Sequence, residues 1–124
     1  MKIEKIEPPR SFIASQNGKS KCIKHCASIN LLPEEQVTFF TEDGKESDFC
    51  RTEWGFYATP SINKRLESFN FKTALVVNNK SQFFIMLVEK EKSELFLKFL
   101  KDFDENLVCW LNNKSLQKIE QLFS

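Results

Sequence analysis

Glycine and histidine are both scarce in this chain. Three glycines, at positions 18, 44 and 55, are spread over 124 residues. They are too few and too dispersed for a dinucleotide fingerprint or a P-loop, which need clustered glycines to let the backbone approach phosphate. The single histidine, His25, restricts any Ser-His or Cys-His mechanism to one imidazole. Neither a G-x-S-x-G elbow nor an H-E-x-x-H pair occurs. No apolar run reaches the roughly 20 residues of a membrane span. The opening MKIEKIEPPRSF sets acids and prolines where a signal peptide would need an unbroken apolar region. A surplus of charge is also missing. Eighteen Lys and Arg against 17 Asp and Glu leave a net charge of +1, so nothing general draws the chain to a phosphate backbone. Neither nucleic acid nor membrane is an expected partner, and the densest basic clusters, NGKSKCIKH and INKRL, are local. The expected compartment is the cytoplasm, where the four cysteines stay reduced.

What the chain has in abundance is phenylalanine. Thirteen Phe, within 41% hydrophobic and 28% charged residues, describe a globular protein whose core is filled by rings and whose loops are short. The length is that of one domain with a core of its own. Residues 1–7 are read as an extended arm and 8–124 as a single compact domain.

Local patterns define the elements. SFIAS, the pair Asn17-Gly18 and the segment SKCIKHCASINLL form a hairpin, because Asn-Gly supplies the positive φ of a two-residue turn. In the second arm Ile23, His25, Ala27, Ile29 and Leu31 share one strand parity; Cys22, Lys24 and Cys26 share the other. QVTFFTEDGKESDFCRT repeats the logic around Asp43-Gly44. Thr59 and Pro60 signal a helix start, with Ile62, Leu66 and Phe69 at helical spacing and Asn70 as a stop. FKTALVV and FFIMLV are strands joined across NNKSQ. The unbroken apolar run 83–88 predicts an interior strand covered on both faces. KSELFLKFLKDF is an amphipathic helix, NLVCWL a strand, and SLQKIEQLF a closing helix through Leu116, Ile119 and Phe123. The order ββββαββαβα is that of an α+β fold: a mostly antiparallel sheet built from hairpins, with about three helices packed on it.

Two groups of residues could carry chemistry. CIKHC, with Cys22, His25 and Cys26, looks like half a metal site that Cys50 or Cys109 could complete. On a strand, however, His25 points away from both cysteines, and Cys22 and Cys26 lie ~13 Å apart at ~3.3 Å per residue, too far for one tetrahedral ion or a disulfide. No metal and no cofactor is therefore expected. The second group is EWGFYATPSINKRLESFN. Trp54 and Tyr57 could wall a sugar or aromatic ring, and Thr59, Ser61 and Asn63 could present polar groups at a helix start that favours an anion. Lys64 and Arg65 could reach that anion from one turn further on. The competing structural reading sends Trp54 and Phe56 into the core, makes Thr59 or Ser61 a cap, and leaves Lys64 and Arg65 on the wet face.

The strings WGFYATPSINKRL, MLVEK and VCWL resemble short hypothetical proteins of bacteria, an uncharacterised family, over roughly residues 35–111. The resemblance implies a bacterial source and carries no activity. The functional expectation is a non-enzymatic binding or accessory protein that takes a small anionic or sugar-like ligand, or a protein partner, at residues 54–65. The alternatives are a thiol or histidine-dependent enzyme or redox protein using Cys50, Cys22 or Cys26 with His25, and a structural homodimer.

Overall fold

The computed structural model of the chain describes residues 1–124. It is an α+β protein with eight strands in three antiparallel sheets and three α-helices. Its contacts gather into two compact units, Met1–Thr59 and Pro60–Ser124.

The first unit is all β. Strands β1 (Lys2–Gln16) and β2 (Lys19–Asn30) form a two-stranded ribbon. Its turn has φ +54° at Asn17 and +74° at Gly18, the conformation that makes Asn-Gly favourable at a tight hairpin. The residues expected as an arm are paired, Lys2 opposite Asn30 and Lys5 opposite Ala27. The ladder breaks between Lys5 and Arg10, where Pro8 and Pro9 supply no N–H. Three further strands, β3 (Gln36–Phe40), β4 (Glu46–Thr52) and β5 (Gly55–Ala58), form a meander in the order β3-β4-β5. The β5 strand adds a fifth strand to the expected run of four.

In the β3–β4 loop Thr41 N–H donates to the Lys45 carbonyl, and the Asp43 carboxylate accepts from the Thr41 hydroxyl and the Lys45 ammonium. These two donors hold the Asp43 carboxyl at about 2, below its usual 3.8.

The second unit begins with α1 (Arg65–Ser68), a single turn that packs on β6 (Phe71–Asn78) through buried Leu66. The expected helix from Thr59 to Asn70 is thus reduced to one turn. Beyond β6 follow β7 (Phe83–Glu89), a 3-10 turn at Lys90–Lys92, α2 (Ser93–Asp102), β8 (Glu105–Trp110) and α3 (Asn113–Leu122). Strand order is β7-β6-β8, so β6 is central and the unbroken apolar strand β7 is an edge.

Register pairs Ala74 with Met86 and Trp110, and Val76 with Phe84 and Leu107. This face is covered by α2: Ala74, Val76 and Leu100 form the buried cluster, with Met86, Phe96, Phe99, Leu107 and Trp110 packed around it. Trp110 lies between the Phe96 ring, 5.6 Å away, and the Lys72 ammonium at 3.9 Å. The opposite face carries Leu75, Val77, Ile85 and Phe83. Phe83 and Ile85 remain 61% and 59% exposed, which overturns the expectation that β7 is covered on both sides. The α3 helix starts with a capping box: Asn112 Oδ1 accepts from Ser115 N–H and Ser115 Oγ accepts from Asn112 N–H. Its apolar stripe runs from half-buried Leu116 through Ile119 to the exposed Leu122 and Phe123.

The Asp43 turn yields a pH prediction. Its folded-state carboxyl is depressed, so its contribution to the order of residues 41–45 is complete above about pH 3.8 and is lost as pH falls through about 2. Carboxyl-detected NMR should give a midpoint near 2 for Asp43, and Lys45→Met should move it back toward 3.8.

Candidate functional site

The stretch that the sequence singled out is divided by the boundary between the two units, after Thr59. Trp54, Tyr57 and Thr59 belong to the first; Ser61, Asn63, Lys64 and Arg65 belong to the second.

In the first unit Glu53 and Trp54 form the two-residue turn between β4 and β5, with Thr52 paired to Gly55. Holding Trp54 at a turn puts its indole outside the ladder, where it stacks on Tyr57 with centroids 5.9 Å apart and planes at 26°. Trp54 is 75% exposed and Tyr57 is 45% exposed. Register sets Tyr57 opposite Cys50, and Phe56 opposite Arg51 on the other face. The Arg51 guanidinium stands 5.4 Å over the Phe56 ring and donates to the Gly55 carbonyl. The same face carries Phe49, which meets Phe39 edge-on at 6.1 Å. All three phenylalanines are exposed. The expectation that Trp54 and Phe56 enter a core therefore fails: a three-stranded meander of this length has two faces and too little chain to cover either.

Thr59 does not cap a helix. Its N–H donates to the Asp48 carbonyl and its hydroxyl to the Asp48 carboxylate at 3.4 Å, while Thr38 Oγ1 donates to the other carboxylate oxygen at 2.5 Å. Asp48 is buried, so the two hydroxyls replace the water it has lost.

In the second unit Ser61 does the capping, its Oγ accepting from Arg65 N–H at 3.0 Å and its carbonyl from Leu66 N–H. Asn63 Nδ2 donates to Asn113 Oδ1 at 2.8 Å, tying the approach to α1 to the first residue of α3. Lys64 is exposed at the N-cap position without a side-chain cap. The Arg65 guanidinium lies 5.7 Å over Phe69, one turn on. Ser61 and Asn63 thus each hold a contact within this unit, and a helix of four residues offers little dipole to an anion.

The thiols and the imidazole are on strands, as the alternation predicted. Arg10 Nη2 is 3.2 Å from His25 Nδ1, a bond in which the guanidinium donates. Cys26 Sγ donates to the Lys24 carbonyl and Cys50 Sγ to the Arg51 carbonyl; all four cysteines are free thiols. The register sets His25 opposite Arg10 and Cys22 opposite Ile13, so imidazole and thiol face opposite ways.

Comparison with known protein families, with curated proteins and with solved structures finds no match to this chain. Two open clefts fall on residues that sequence reasoning did not select. One, of 360 Å³ in the first unit, is lined by Lys2, Glu4, Ile29, Leu31, Arg51 and Phe56 among others. The other, of 350 Å³ in the second, lies where the end of α2 meets β8; burial pushes the Glu105 carboxyl there upward. Of the residues between 54 and 65, only Phe56 lines either. Nothing periodic announces these clefts, because they arise where elements distant in sequence meet. The exposed apolar patch on β7 has a signal, the apolar run 83–88, whose composition suits an interior strand and which the strand order sets at the edge.

Removing the Asp48 carboxylate takes a hydrogen-bond partner from the part-buried hydroxyls of Thr38 and Thr59. Asp48→Ala should lower stability by about 1–3 kcal/mol, whereas Lys64→Ala should change it by less than about 0.5 kcal/mol. Urea denaturation of both variants distinguishes bracing from ligand-facing polar groups; equal costs would contradict the assignment.

Proposed function

We propose that the protein acts by binding protein and performs no reaction, and that a second copy of the chain is its first partner, joined through the open face of the β7-β6-β8 sheet. The observation that carries this reading is the exposure of Phe83 and Ile85 on an edge strand whose other side packs against the α2 cluster through Met86. A sheet with one wet face alternates apolar and polar residues. Here the exposed Phe83, Ile85 and Leu87 lie beside half-buried Leu75 and Val77 without a charge between them, and the face runs on to buried Phe71 and Thr73. Water is a poor cover for such a face, and a second sheet laid ~10 Å above it is a good one. A two-fold pairing would place the same patch on both partners.

On their shared strand His25 faces away from Cys22 and Cys26, which supports a non-catalytic role.

A second surface is favoured by the Trp54 and Tyr57 stack. An exposed, preordered aromatic pair is the type of anchor that concentrates binding energy, and its outer ring faces suit a partner's side chain or a sugar.

Light scattering coupled to size exclusion should return twice the 14.5 kDa chain mass. Ile85→Lys should return the chain mass itself with unchanged far-UV circular dichroism. A wild-type protein that stays monomeric at its highest soluble concentration overturns the reading.

A further inference from the structure

Net charge conceals a separation that the fold makes spatial. From Pro8 to Pro33 there is no Asp or Glu. Four of the eighteen Lys and Arg lie there, Arg10, Lys19, Lys21 and Lys24, which leaves the rest of the chain at −3. All four sit on the outer part of the β1–β2 ribbon. The register puts Arg10, Lys21 and Lys19 on one face, at distances from Arg10 of ~14 and ~20 Å along the strands. Between them on that face is the exposed cross-strand pair Phe12 and Ile23. Lys24 and Ile13 occupy the other face. His25 accepts a hydrogen bond from Arg10 without neutralising it, so the guanidinium keeps its charge while its position is fixed.

We propose that this ribbon is a DNA-binding arm that enters the major groove of a duplex, with its lysines and Arg10 on the flanking phosphates. A two-stranded ribbon fits the ~12 Å major groove of B-form DNA, and a groove presents phosphate walls on two sides. Cations on both faces match that arrangement. Phe12, Ile13 and Ile23 are available to thymine methyls, and the hydroxyls and amides of Ser15, Gln16, Asn17 and Ser20 to base edges. The tip, SQNGKS, is wholly polar. A hairpin that dips into a bilayer would carry its apolar residues there, which sets DNA ahead of an anionic membrane. The deep, narrow major groove of A-form RNA would not admit the ribbon.

The test is fluorescence anisotropy with a labelled DNA duplex of about 20 base pairs and mixed sequence. At about 50 mM salt binding should be saturable with a dissociation constant on the order of micromolar, and the slope of log K against log salt should be about −3.6 for four phosphate contacts, a loss of roughly 150-fold by about 200 mM. Lys19→Ala/Lys21→Ala/Lys24→Ala should weaken binding at least tenfold and bring the slope to about −1. Single Lys19→Ala and Lys24→Ala variants, matched to wild type in circular dichroism, should each remove about one unit of slope. Lys64→Ala/Arg65→Ala in the other basic cluster should leave it unchanged. The Ile85→Lys monomer should keep the per-chain slope, which separates this proposal from the self-association reading. Absence of binding at low salt, a slope indifferent to the three lysines, or tighter binding to an RNA duplex or to phosphatidylserine vesicles would overturn it.

Discussion

A sheet has two faces, and an apolar strand has no polar side to offer water. That constraint acts on β7 more severely than anywhere else in the chain. On one side Met86 packs against the cluster under α2 while Phe84 stays 43% exposed; on the other, Phe83, Ile85 and Leu87 are exposed at the free end of a face whose β6 residues Phe71 and Thr73 are buried. The α2 helix can cover only one side, because Leu100 and Phe96 reach Ala74, Val76 and Trp110 from there. Short connections follow from the same economy: the turn into α2 begins where β7 ends, and β8 returns at once to the other edge of β6. Everything that the second unit exposes, including the stripe on α3 that ends in Leu122 and Phe123, is what remains after one small core has been made.

The first unit shows the complementary economy. Its ladders satisfy the backbone, and Asp48 with Thr38 and Thr59 supplies a buried polar brace where a larger protein would use apolar packing. The phenylalanines of β3, β4 and β5 pair with each other or with Arg51 at the surface. A two-stranded ribbon and a three-stranded meander give stable registers, yet neither has the depth to bury a large ring on both sides. The rings that were expected to fill the core of this chain are in good part its surface.

Elements governed by two or four neighbouring residues were legible in the sequence. Asn17-Gly18 specifies its turn through φ alone, the parity of Ile23, His25 and Ala27 specifies a strand, and the spacing of Phe96, Phe99 and Leu100 specifies α2. The misreadings came where a distant partner competes. Thr59 and Pro60 have the composition of a helix start, but Asp48, eleven residues earlier, takes the Thr59 N–H and hydroxyl and keeps the residue with the meander. The helix forms only after Ser61 supplies its own cap. For β7 the apolar run was correctly a strand; interior and edge strands share that composition, and only the order of strands separates them. The proposed site at 54–65 was legible as an aromatic cluster at Trp54 and Tyr57, and illegible beyond it, because the duties of Ser61 and Asn63 are set by Arg65 and Asn113.

Self-association through this sheet buries Phe83 and Ile85 against a second copy of the chain, and solvent access to those residues measures this directly. Hydroxyl-radical footprinting across a dilution series should show Phe83 and Ile85 strongly oxidised in dilute protein and protected in concentrated protein, while Trp54 stays reactive throughout. Equal oxidation of Phe83 and Ile85 at both ends of the series would contradict it.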